Sequence, residues 1–96
     1  MKSFEIKGKV FRPGKDAWHF VYVNKALSQR IRDTARTIKG VNMSFIRVKA
    51  TSGKTSWTTS LFPTKDGPYL IAIKADVRHK EGIAEGDVIR VDCGLQ

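Results

Sequence analysis

Near the start of the chain Phe4, Ile6 and Val10 alternate with Glu5, Lys7 and Lys9. A period of two marks a half-buried strand, and Gly8 permits a bend or a close approach within it. Pro13-Gly14 predicts a turn, so the β-forming run from Trp18 to Val23 is expected to fold back on the first strand as a hairpin. At Asn24 the period changes. Leu27, Ile31, Ala35 and Ile38 recur at helical spacing, with Asn24 suited to cap the helix and Gly40 to stop it at the C′ position. The opposite face then carries Lys25, Gln29, Arg32, Arg36 and Lys39.

Two further runs, Met43 to Thr51 and Lys54 to Phe62, flank Ser52-Gly53 and predict a second hairpin. In its second arm Thr55, Trp57, Thr59 and Leu61 share one face. A turn around Asp66-Gly67 leads into a short strand, Tyr69 to Ile73, and a brief helix from about Asp76 to Lys80. A structured turn over 82–87 precedes a last strand in which Ile89, Val91 and Cys93 point one way. The pattern thus predicts six strands, one amphipathic helix and one short helix, joined by short connections. So many short strands predict a mainly β (α+β) fold that closes, or nearly closes, into a barrel, which leaves few free edges.

The pattern also contains an internal echo. Phe20-Val21-Tyr22-Val23-Asn24-Lys25-Ala26-Leu27 matches Leu70-Ile71-Ala72-Ile73-Lys74-Ala75-Asp76-Val77 in type: apolar strand, polar pair, helix with an apolar anchor. Each helix leads to another strand, ending in Ile46-Arg47-Val48 or Ile89-Arg90-Val91. Two such units can close one barrel about a pseudo-twofold axis, so a monomer is expected.

Composition adds charge to this picture. The 96 residues fit a single domain, 1–96, and carry a net charge of +9. Residues 1–65 hold 14 Lys/Arg against 3 Asp/Glu, while 66–96 hold 4 against 6, so the excess belongs to the first unit. A one-sided basic surface attracts nucleic acid or other anionic partners; its plain alternative is a solvated face that maintains solubility. A lone Cys93 cannot make an internal disulfide, the charged N-terminus is no signal peptide, and no apolar run spans a bilayer. A soluble cytoplasmic protein without membrane contact is expected.

Two family resemblances follow from quoted motifs. Ile73-Lys74-Ala75-Asp76-Val77-Arg78, then Gly82-Ile83-Ala84-Glu85-Gly86-Asp87, resembles the half-barrel of AbrB/MazE-type swapped-hairpin transcription factors. Tyr69-Leu70 stands where those proteins carry the Gly-Arg associated with DNA contact, and Lys74 where they carry proline. A longer resemblance runs through Trp18-His19-Phe20-Val21, Trp57 to Pro63, Gly67 to Leu70, Lys74-x-x-Val77-Arg78 and Gly82-Ile83-x-x-Gly86-Asp87. In that order and spacing they resemble the bacterial domain of unknown function 1905. The resemblance implies a single-chain double-split β-barrel capped by helices, and brings no activity with it.

Candidate chemistry narrows to binding. His19, His79 and Cys93 are too few and scattered for a zinc site, so no metal or cofactor is expected. Neither Cys93 nor Ser60 has a nucleophile's context, and Asp87 is placed to accept backbone hydrogen bonds, so no catalytic constellation is visible. One binding expectation is nucleic acid, on Lys25, Arg32, Arg36 and Lys39 of the helix with Arg47, Lys49 and Lys54 of the hairpin. The other is a small anionic ligand held by Trp57, Thr59, Tyr69, Lys74 and Arg78, in a pocket near Trp57 and Tyr69. Against the second stands a plain reading in which Trp57 and Tyr69 fill the barrel.

Overall fold

The computed structural model describes residues 3–15, 17–41 and 44–95. In chain order the elements are β1 (Ser3–Lys9), β2 (Phe20–Tyr22), α1 (Lys25–Arg36), β3 (Ile46–Ser52), β4 (Thr55–Pro63), β5 (Tyr69–Ala72), α2 (Ala75–Glu81) and β6 (Val88–Leu95). Among the described residues the six strands form one antiparallel sheet in the order β1-β6-β3-β4-β5-β2. Its two edges meet at a single bridge, where Phe11 and Phe20 exchange backbone hydrogen bonds of 2.9 Å. The sheet is therefore a nearly closed barrel. Gly8 lies on this seam. A Cβ there would stand 2.7 Å from Cγ1 of buried Val21 and 3.3 Å from the Tyr22 carbonyl oxygen, so a side chain would push β1 off β2.

The inward faces of the strands build one core, with Ile6, Val21, Val48, Leu61, Ile71 and Val91 all sealed from solvent. The helices stopper opposite ends. At the α1 end, Asn24 Oδ1 accepts from the Leu27 N–H at 2.8 Å, and the apolar face of the helix buries Ile31 and Ala35. Buried Ser28 joins three elements there: its hydroxyl donates to the Val23 carbonyl and accepts from the Tyr69 N–H, each at 3.0 Å. At the other end, the Thr55 hydroxyl donates to Glu81 Oε2 at 2.6 Å, and Gly82 ends α2 in the left-handed conformation, φ 64°. The echo in the sequence becomes geometry. Strands β2 and β5 of the two units lie side by side and antiparallel, and so do β3 and β6. No helix among the described residues is long and apolar enough to cross a membrane.

Several local expectations are corrected. The first strand does not form a hairpin with the second: β1 pairs along its length with β6, and the only ladder pairing across the β1–β2 seam is the Phe11–Phe20 bridge beyond its end. Alternation identifies a strand but not its partner, and here the partner lies at the far end of the chain. Helix α1 stops at Arg36, with Thr37 as its cap, because i→i−3 bonds from Thr37 and Ile38 tighten the chain before Gly40 is reached. The β3–β4 turn is Gly53-Lys54, since Ser52 still pairs with Thr55. Met43, expected to begin the third strand, lies outside the described residues.

Candidate functional site

Strands β4 and β5 pair only at Leu61–Ile71, Phe62–Leu70 and Pro63–Tyr69. Beyond Ile71 they part. The Ile73 N–H is donated to the His19 carbonyl at 2.9 Å, and the Ala72 carbonyl accepts from Nε1 of buried Trp57 at 3.2 Å. A buried carbonyl left without a partner costs about 1–3 kcal/mol, so the indole replaces what the ladder would have supplied. In the split opens a cavity of about 410 Å³, within the usual size range of small-molecule sites. Thr59 reaches it from β4, and Ala72 and Ile73 from the end of β5. Lys74, Ala75 and Arg78 enter from α2 and its cap, and Ala17, Trp18 and His19 from the segment before β2.

The walls are apolar and the charges at the mouth are positive. Arg78 is anchored by its Nε–H to the Ile73 carbonyl at 3.2 Å, and Lys74 is exposed. Among the described residues neither pairs with a carboxylate; the ion pairs present are Arg12–Glu85 at 3.3 Å and Arg36–Asp33 at 3.5 Å. Trp18 is 68 % exposed at the mouth. Burial, then the positive charges of Arg78 and Arg12, hold the His19 pKa below its usual value of 6.5, with Glu85 opposing. Three of the acids at this end of the barrel are engaged with other groups. Glu81 holds Thr55, Glu85 holds Arg12, and Asp87 Oδ2 accepts from the Ala84 N–H at 2.8 Å. Cys93 lies in the core, where burial, aided by Asp92, pushes its thiol pKa up to about 12; it is a small apolar side chain rather than a nucleophile. Among the described residues no cluster of His, Cys, Asp and Glu is arranged to hold a metal ion.

Of the residues expected to hold a small ligand, Thr59, Lys74 and Arg78 line the cavity, while Trp57 stands behind Ala72. Tyr69 does not belong to it. It is buried at the α1 end, with the Arg32 guanidinium 5.1 Å above its ring, because the first residue of β5 enters the barrel opposite the split. Trp18 and His19 were not expected as site residues. The signal for them is their place at the head of the motif Trp18-His19-Phe20-Val21, which reads equally well as the start of a strand.

The seven cations expected to form a nucleic-acid face are not brought together as one. Lys25, Arg36 and Lys39 are exposed at the α1 end, but Arg32 is half-buried and donates to the Gly67 carbonyl at 2.9 Å. Arg47 and Lys49 lie on the outer face of β3, where Arg47 donates to Ser60 Oγ at 3.0 Å. Lys54 sits in the turn at the α2 end, a whole strand length away from α1.

No curated protein shows significant sequence similarity to the chain. Residues 7–92 match the family model described as Domain of unknown function (DUF1905), which covers nearly all of the barrel just described. The order of motifs, the split sheet and this match agree: the chain belongs to the DUF1905 family.

Proposed function

We propose that the protein is a non-enzymatic binding module whose ligand is a small anion with a flat apolar part, held in the split between β4 and β5. The observation that carries this reading is the convergence of Lys74, Arg78 and His19 with the exposed ring of Trp18 on one cavity, none of whose lining residues is acidic. An apolar pocket with a few cationic groups at its rim orients such a ligand: the flat part stacks on Trp18, and the anion faces Lys74 and the Arg78 guanidinium. The buried thiol of Cys93 suits a reducing compartment such as the bacterial cytoplasm. Closure of the barrel within one chain supports a monomer.

Benzenesulfonate, which stays ionised across the working pH range, is a suitable probe. Titration is expected to change Trp18 fluorescence saturably, and Lys74→Glu to weaken binding at least about tenfold, the loss of one charge-assisted contact. Lys74 is exposed and makes no side-chain hydrogen bond as the α2 cap, so the variant keeps its fold. Unchanged affinity in Lys74→Glu would sink the proposal.

The same site predicts a pH dependence. His19 faces Arg78 from α2, Arg12 from the segment after β1, and Glu85 from the turn before β6. Its pKa in the empty protein is depressed, so the proton is absent at neutral pH and enters only as pH falls below 6.5. A bound anion favours the protonated ring. Affinity for benzenesulfonate is therefore expected to rise as pH falls below 6.5, by at most about tenfold per pH unit. The empty protein loses stability in the same window, because the unfolded chain takes that proton more readily. Calorimetric titration of wild type and His19→Gln checks this; a slope that survives in His19→Gln assigns the proton elsewhere.

A further inference from the structure

Outside the cavity, the barrel wall carries a chain of aromatic rings. Tyr22 stacks on Phe11 at 4.6 Å between centroids and 10° between planes. Phe11 meets Phe20 at 6.3 Å, Phe20 meets the edge of Phe62 at 6.5 Å, and Phe62 meets Phe45 at 5.7 Å. Trp18 branches from Phe20 at 6.5 Å. These rings are not core. Trp18, Tyr22 and Phe45 are 68 %, 52 % and 50 % exposed, and both helices lie over the barrel ends, away from this wall. A contiguous exposed aromatic surface on a small soluble fold marks an interaction site.

Charge decides what fits it. Arg47 and Lys49 lie beside the Phe45–Phe62 end, on the outer face of β3. At the other end Lys9 falls opposite Tyr22 in the antiparallel register set by the Phe11–Phe20 bridge. None of the three pairs with a carboxylate among the described residues. A second copy docking through this face would set these cations against their own equivalents, on a chain already at +9. A polyanion with flat apolar faces has the opposite relation to every one of these groups. In a duplex the base faces are hidden; in a single strand they are free to stack on protein rings.

We propose that the aromatic wall from Tyr22 to Phe45 is a docking surface for single-stranded nucleic acid. Bases stack on the exposed rings, and the backbone phosphates are met by Arg47, Lys49 and Lys9. The row has room for roughly four nucleotides, the low end of known single-strand sites. Such a surface tolerates any sequence, because it uses ring faces rather than base edges. It does not rest on the cavity: of these rings Trp18 alone lines it, and Tyr22 and Phe45 do not.

The test is fluorescence anisotropy with a labelled oligouridine of about twelve nucleotides, beside a duplex of equal length, at low salt. The single strand is expected to bind at least about tenfold more tightly than the duplex, and to weaken about tenfold or more between roughly 50 and 200 mM salt. Tyr22→Ala and Phe45→Ala each remove an exposed ring and are expected to weaken it at least about fivefold. Circular dichroism reports whether each variant is folded. In the unaltered protein, displacement of the labelled strand by unlabelled oligouridine but not by benzenesulfonate gives a readout that needs no variant and sets the wall apart from the cavity. The proposal is overturned if neither oligonucleotide binds, if both bind alike, or if the ring variants bind as wild type does. A dimer in sedimentation that Phe45→Ala dissolves overturns it too, by giving the wall to a second copy.

Discussion

Replacing Ser28 with alanine is expected to lower the melting temperature by roughly 10–25 °C, although it removes a single oxygen atom. That hydroxyl donates to the Val23 carbonyl and accepts from the Tyr69 N–H, and both of these residues are buried. Alanine leaves two backbone groups in the interior without partners, and each such group costs about 1–3 kcal/mol. The combined loss, at least about 2 kcal/mol, is a large part of the stability of a domain this size. Chemical denaturation at constant m-value gives the number. A loss below about 1 kcal/mol would mean that water replaces the hydroxyl at this junction.

The second large effect belongs to Trp57, whose ring fills the barrel while its N–H crosses the split to the Ala72 carbonyl. Trp57→Ala is expected to cost about 3–5 kcal/mol, the range for emptying a large aromatic site in a core. Trp57→Phe keeps most of the apolar volume and deletes the donor, so about 1–3 kcal/mol isolates the hydrogen bond. The pair of variants separates the two roles. If Trp57→Phe is as stable as wild type, the Ala72 carbonyl is satisfied by other means and the split does not depend on the indole. The wall formed by Thr59 and Ala72 shifts in the alanine variant, so probe binding in the cavity is expected to fall with stability.

What the sequence made legible follows a physical divide. Local signals worked where the cause was local. The Asn24 cap, the Leu27–Ile31–Ala35 stripe, the inward set Trp57, Thr59 and Leu61, and the Asp87 side chain holding a backbone N–H are each determined by neighbours a few residues away. The partner of β1 was not legible. Pro13-Gly14 makes a turn whatever lies on either side of it, and the strand before it pairs elsewhere. The site divided in the same way. Thr59, Lys74 and Arg78 sit in motifs whose direction along strand and helix can be read from spacing, and they do meet at the cavity. Tyr69 shares that motif but points into the opposite end of the barrel. Trp18 and His19 reach the cavity only because the irregular segment before β2 crosses the mouth of the split, and no periodicity encodes that crossing. The aromatic wall was hidden for a related reason. Its rings come from four separate stretches of chain, and only closure of the barrel places them in a row.

The pairing of β1 with β6 has a consequence for the order in which the protein is made. Ser3 pairs with Gly94 and Lys9 with Val88, so β1, made before the other five strands, has no ladder partner until residues 88–95 follow it. Until then it has the approach of Gly8 to Val21, the Arg30 guanidinium of α1 5.9 Å over the Phe4 ring and the nearby Phe11–Phe20 bridge, but no ladder, while the hairpin of β3 and β4 can form as soon as it emerges. A nascent chain halted inside α2 thus presents two unsatisfied strand edges, β1 and the β6-facing side of β3, to whatever is nearby. The sixth strand has to be made before this barrel can protect its first.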